Sequence, residues 1–135
     1  MPHSGSCLCG QSTVKVSSSH DAHIACHCTD CQRTSGAAFS TNFLVKLADA
    51  DFKGPIKEYE SKAASGATVT RGFCGNCGCA LYHKTPTFGD SFAIQTGWLD
   101  GSDKLKFSTE LFVKDRWTGL GDIPGADQVQ AMPEH

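Results

Sequence analysis

The sequence has no long hydrophobic run, and nothing in its 135 residues approaches the ~20 consecutive apolar positions of a membrane-spanning helix. Its opening, MPHSGSCLCG, lacks the charged start and apolar stretch of a secretory signal. On both counts it reads as a cytoplasmic protein with no membrane partner. Charge is scarce. Twelve Lys and Arg against fourteen Asp and Glu leave a formal net charge of −2, and the cations are scattered. Without a basic stripe, nucleic-acid binding has no electrostatic support. A charged fraction of 19% beside 39% hydrophobic residues excludes a disordered, highly charged chain and suits a globular one. Sustained 3.6-residue periodicity is missing too, which excludes a bundle of long helices. The length fits a single domain over residues 1–135.

What the chain has in plenty is cysteine, eight in all. In a reducing compartment, clustered cysteines bind metal more readily than they form disulfides. Cys7 and Cys9, like Cys26 and Cys28, stand too close in sequence to bridge each other easily, but each pair can offer two thiolates to one ion.

Short strand-forming segments fill most of the remainder. STVKV (12–16) alternates as a half-buried strand does, and FSTNFLVKL (39–47) is rich in strand formers. After a turn at Gly54-Pro55, TVTRGF, ALYH, SFAIQTGWL and FSTELFVK read as further strands, separated by turn-rich CGNCG, TPTFGD and LDGSDK. Only Thr29 to Thr34 invites a helical turn. The fold class expected is mainly β, with short antiparallel strands in a barrel or sandwich, and a tail from about Gly119 that is mostly loop.

The cysteines fall into CLC (Cys7, Cys9), CHCTDC (Cys26, Cys28, Cys31) and CGNCGC (Cys74, Cys77, Cys79). Cys74 and Cys77, with glycines at Gly75 and Gly78, have the form of a zinc knuckle. A closed tetrahedral site needs a second pair, and Cys7 and Cys9, followed by Gly10, are the natural donors. Such a zinc is structural. Cys26, Cys28 and Cys31 remain. In an extended segment Cys26 and Cys28 face one side and His27 the other. A turn beginning at Thr29 can then return Cys31 to the same point. Three ligands and one open position characterise a catalytic zinc, and three thiolates favour a soft fourth ligand such as a substrate thiol.

Bland readings stand beside these. Cys79 is either a fourth ligand, closing the second site and making it structural, or a small turn residue. His27 reads better as a packed or supporting histidine than as an acid/base. Arg33 and Arg71 are candidates for substrate carboxylates, or simply surface groups. Trp98, Trp117, Phe39 and Phe43 are core residues by default.

Together, GSCLCG, CHCTDCQRTSGAAF, FCGNCGCAL and TGWLD, in that order, resemble the glutathione-dependent formaldehyde-activating enzyme family, also called the centromere protein V family. The likeness runs from Gly5 to about Trp117. It implies an Mss4-like fold of short antiparallel sheets with two zinc sites. Cys7, Cys9, Cys74 and Cys77 would ligate a structural zinc, and Cys26, Cys28 and Cys31 a catalytic one. The implied activity is that of a carbon–sulfur lyase joining glutathione, or a related thiol, to a small aldehyde, giving S-hydroxymethylglutathione in the namesake reaction. The rival readings are a zinc-stabilised, non-catalytic binding module of the same fold, and a zinc enzyme acting on another electrophilic metabolite.

Overall fold

A computed structural model describes residues 3–132. In chain order the elements are β1 (His3–Ser6), β2 (Thr13–Val16), β3 (Ala22–Cys26), α1 (Thr29–Ser35), β4 (Ser40–Lys46), β5 (Ala50–Lys53), β6 (Ile56–Lys62), β7 (Thr68–Cys74), β8 (Ala80–Lys84), β9 (Ser91–Gln95), β10 (Lys106–Leu111) and β11 (Asp127–Gln128), with short 3₁₀ turns between some of them. The chain is mainly β, as its short apolar segments lead one to expect. It divides into two compact units. One takes the residues up to His20 together with Phe43–Ser102; the other takes Asp21–Asn42 together with the residues from Asp103 onward.

In the first unit, β1, β2 and β5 form an antiparallel sheet. Alternation buries Val14 and Val16 while Lys15 points to solvent, as the period of two requires. Strands β6 to β9 make an antiparallel meander. Its last strand, β9, buries Phe92, Ala93 and Ile94 in succession, which marks a strand covered on both faces. Strand β6 is its opposite. It is an edge strand whose Lys57, Glu58, Glu60 and Lys62 are exposed, and such charges discourage pairing with another chain. The core is completed by Trp98, whose indole N–H donates to the Leu81 carbonyl at 3.0 Å, and by Phe52, whose ring lies near those of Tyr82, Phe92 and Trp98.

In the second unit, β10 runs parallel to β3 on one side and to β11 on the other, while Ser40–Asn42 of β4 pair antiparallel with β3. These two parallel pairings are additions to the antiparallel arrangement read from the sequence. Helix α1 begins where the helical turn is expected and carries its own stop signals. Cys28 is its N-cap, with the sulfur accepting the Cys31 amide at 3.3 Å; Asp30 lies in the first turn and Arg33 in the last. Gly36 closes the helix in the left-handed conformation, its amide bonded to the Gln32 carbonyl at 3.0 Å.

Two of the residues taken as core by default are placed otherwise. Trp117 is 51% exposed and Phe39 only half-buried, whereas Trp98 and Phe43 are buried.

Candidate metal centres

Seven of the eight cysteines gather into two groups, one in each unit. Cys7, Cys9, Cys74 and Cys77 form the first; Cys26, Cys28 and Cys31 form the second; within each, all sulfurs lie within 4.8 Å of one another. No disulfide joins any of the eight. Cys79 belongs to neither group. Its thiol donates to the Ala80 carbonyl at 3.8 Å, and burial pushes it up, so it persists as a neutral thiol.

Two similar turns build the first group. Gly10 donates its amide to the Cys7 carbonyl at 3.0 Å, and Gly78 donates to that of Cys74 at 2.8 Å. Both glycines adopt a left-handed conformation (φ 82° and 78°), which lets each turn close with its two sulfurs on one side. Backbone amides then point at the sulfurs: Ser12 N–H reaches Cys7 Sγ at 3.3 Å, and Asn76 N–H reaches Cys74 Sγ at 3.4 Å. The Ser12 hydroxyl is buried without a partner of ordinary hydrogen-bond geometry, yet it is the foremost influence on Cys74. Together with the Cys77 and Asn76 amides it draws that thiol down to about 6. Donors aimed at a sulfur favour the thiolate, the form that binds metal.

The sulfur spacing fits a metal as well. A tetrahedral ion with metal–sulfur bonds of about 2.3 Å sets neighbouring sulfurs about 3.8 Å apart. Cys7 and Cys9 are separated by 3.5 Å, and Cys9 and Cys74 by 3.8 Å. Both groups can hold a metal ion, and an all-sulfur donor set is one that zinc accepts.

The second group grows from the end of β3 and the first turn of α1. Cys26 and Cys31 are buried and pack with Leu111; Ile24, Cys28, Phe112 and Val129 close around them. Cys28 is half-buried, the most accessible of the three. Crowding governs the protons here. Proton sharing with Cys28 and Cys31 holds the Cys26 thiol far above its usual range. Cys31 is lowered by its bond to Cys26, but Cys28 and burial outweigh this and push it up to about 11. Three converging thiols in a partly dry place resist ionising together, and a cation among them removes the conflict.

His27 turns away from the three sulfurs, as alternation along an extended segment implies. It is 1% exposed, and its Nε2–H donates to Glu110 Oε1 at 2.8 Å. Its ring lies 5.2 Å from that of Phe39, and the Gln32 side chain donates to its carbonyl. Arg33 is exposed and makes no ion pair among the described residues, while Arg71 bonds the Ser61 hydroxyl at 3.1 Å. Neither stands out as a substrate group. Sequence reasoning passed over Glu110 and Phe112. Glu110 is a buried carboxylate, and Phe112 is the one non-glycine residue with positive φ (56°) among those described. A lone Glu within FSTELFVK carries no spacing signal. The left-handed Phe112 comes from the turn that follows β10, and no residue type announces it.

The architecture and the sulfurs thus define a class: a mainly β protein with two cysteine clusters able to hold metal. The chain belongs to the glutathione-dependent formaldehyde-activating enzyme family, whose sequence profile matches residues 2–115. No functionally curated protein is significantly similar to it in sequence. In structure it is similar to a Rhodobacter sphaeroides protein whose crystal structure was solved as a structural-genomics target, with a TM-score of 0.60 and 17% identity. The similarity covers 78% of this chain and 99% of that one, and at this identity it speaks to the fold alone.

Proposed function

We propose that this single-domain cytoplasmic protein is a zinc enzyme that joins a thiol, glutathione or a relative of it, to a small aldehyde and catalyses the reverse cleavage. It would be a carbon–sulfur lyase in keeping with its family. One observation carries this reading: the sulfurs are divided four and three, and no further Cys, His, Asp or Glu among the described residues joins the group of three. In this reading Cys7, Cys9, Cys74 and Cys77 hold a structural ion, and Cys26, Cys28 and Cys31 hold the catalytic one. When bound there, zinc supplies a Lewis acid that keeps an added thiol in its thiolate form.

The chain's own residues account for the rest. Burial of Cys26 and Cys31 keeps water from one side, and half-buried Cys28 leaves the other side open to the guest. Three sulfur donors make the site soft, so a thiol competes well there against water. The Cys28 cap and the Glu110–His27 bond hold the sulfur-bearing segment in one geometry. In the forward reaction the guest's sulfur bonds to the carbonyl carbon, the C=O π pair moves to oxygen, and that oxygen takes up a proton. Overall, the proton of the thiol ends on the new hydroxyl.

X-ray absorption on the metal-loaded protein tests the reading. Averaged over both sites, about 3.5 sulfurs per ion are expected without added thiol and about 4 with glutathione. Four sulfurs in the absence of thiol would instead favour a binding module. Exchange NMR of glutathione with formaldehyde gives the functional arm: the wild type should exceed the uncatalysed rate, and Cys28→Ser should not.

A further inference from the structure

The family profile ends at residue 115, yet the chain beyond it is built into the three-cysteine site. Val129 packs against the cluster of Cys26, Cys31 and Leu111. Its amide donates to the Glu110 carbonyl at 2.9 Å, and its carbonyl accepts from the Val113 amide at 3.1 Å. The Glu110 side chain, 1% exposed, gathers the same segment from within. Its Oε1 accepts from His27 at 2.8 Å. Its Oε2 accepts from the Ile123 amide at 2.8 Å, the Gln128 side-chain amide at 2.6 Å and Arg116 at 3.3 Å. Arg116 is held in turn by Asp122 at 2.8 Å and by the Gln128 side-chain oxygen. A buried carboxylate with this many donors cannot lose one cheaply, because each broken bond leaves a desolvated polar group. His27 lies between Cys26 and Cys28, so one carboxylate joins the tail to the segment carrying two of the three sulfurs.

We propose that residues 116–129 are a strap, fixed by Glu110, that walls the Cys26–Cys31 side of the site through Val129 and limits the bulk of the thiol admitted beside Cys28. The identity of the guest rests on the function proposed above; the strap itself does not. Glu110 is a positioning residue and Val129 a specificity-determining one. Ile24, Leu111, Phe112 and Val129 offer a guest no charged partner, so its polar groups must extend outward past Cys28. The left-handed Phe112 sits where the strap meets β10, between the bond from Val113 to Val129 and a turn in which the Asp115 amide donates to its carbonyl at 2.9 Å. That conformation costs a bulky residue about 1–2 kcal/mol and persists only where its surroundings enforce it.

Hydrogen–deuterium exchange on the full-length, metal-loaded protein tests the fixing. Glu110→Gln sets an amide donor against existing donors, and peptides from 117–132 should exchange about tenfold faster or more, while peptides containing Cys74–Cys79 keep their rate. Gln128→Ala, at an exposed position, removes the side-chain bonds to Glu110, Arg116 and the Ala126 carbonyl but leaves the buried carboxylate its other donors, and should give a smaller acceleration in the same peptides. Unchanged exchange in both variants overturns the strap. The wall is tested in the cobalt(II)-loaded protein by titrating glutathione and 2-mercaptoethanol and following the visible spectrum. Val129→Ala should tighten glutathione relative to 2-mercaptoethanol by about threefold or more; an unchanged ratio overturns the wall. If no thiol alters the wild-type spectrum, the proposed function falls and the size filter with it, while exchange still decides whether Glu110 fixes the strap.

Discussion

Cys9 Sγ lies 3.8 Å from Cys74 Sγ although 65 residues separate them in the chain. A metal held across so long a loop constrains the unfolded chain strongly, and its binding energy is folding energy. Cys74→Ser is therefore expected to destabilise the protein by at least about 3–5 kcal/mol or to leave it unfolded. Cys28→Ser, at the half-buried edge of the other group, should lower stability much less while removing activity. Thermal unfolding followed by circular dichroism compares the two.

The division of sulfurs also sets an order of metal loss. Elemental analysis should find two zinc ions per chain. A chelator should remove one quickly and the other slowly, because an ion with three protein ligands is more exposed to competition than one with four. Cys74→Ser should abolish the slow phase, and Cys28→Ser the fast one.

Two glycines near the first cluster separate steric from conformational cost. A Cβ on Gly5 would stand 2.0 Å from the Trp98 carbonyl oxygen, where backbone meets backbone and neither can yield. A Cβ on Gly10 would meet nothing within 4 Å, although φ there is 82°. Gly10→Ala is expected to cost about 1–2 kcal/mol for the left-handed backbone alone. Gly5→Ala should cost clearly more, since β1 must separate from its neighbour. Urea unfolding midpoints measure both.

Glu110 gives the protein a defined acid sensitivity. Burial pushes its carboxyl upward, but the Ile123 amide, Gln128, His27 and Arg116 outweigh burial and bring it down from 4.5 to about 2. A carboxyl whose folded value lies below its unfolded one stabilises fully above the unfolded value and loses that contribution as pH falls through the folded value. The stability difference between wild type and Glu110→Gln should therefore be flat above pH ~5.5 and shrink between pH ~4.5 and ~2. Urea unfolding of both proteins across that range measures it, and taking the difference removes the acid-driven metal loss that both share.

The cysteine groups were legible in the sequence because ligand spacing is local chemistry: CLCG and CGNCG each bring their own turn. Helix α1 was legible as a helical turn over Thr29 to Thr34, while its Cys28 cap and its stop at Gly36 emerge only from the structure. Strands such as β2, β7 and β8 showed themselves through β-branched and aromatic residues. Strand β6 did not, because IKEYESK lies at an exposed edge and carries the charges of a surface. The parallel pairing of β10 with β3 joins segments some 80 residues apart, and no local signal encodes it. Glu110 stayed hidden on the same account: its bond to His27 spans 83 residues, and its other partners lie in a Gly- and Pro-rich tail that reads as loop.

The discontinuous second unit bears on how the molecule is made. Cys26, Cys28 and Cys31 leave the ribosome early, but the strands and tail that enclose them come only after Asp103. During that interval the nascent chain exposes three adjacent thiols with no cover, while the four-sulfur knuckle already has all its donors once Cys77 has emerged. The second unit therefore closes around its three thiols only when the residues from Asp103 onward have been made.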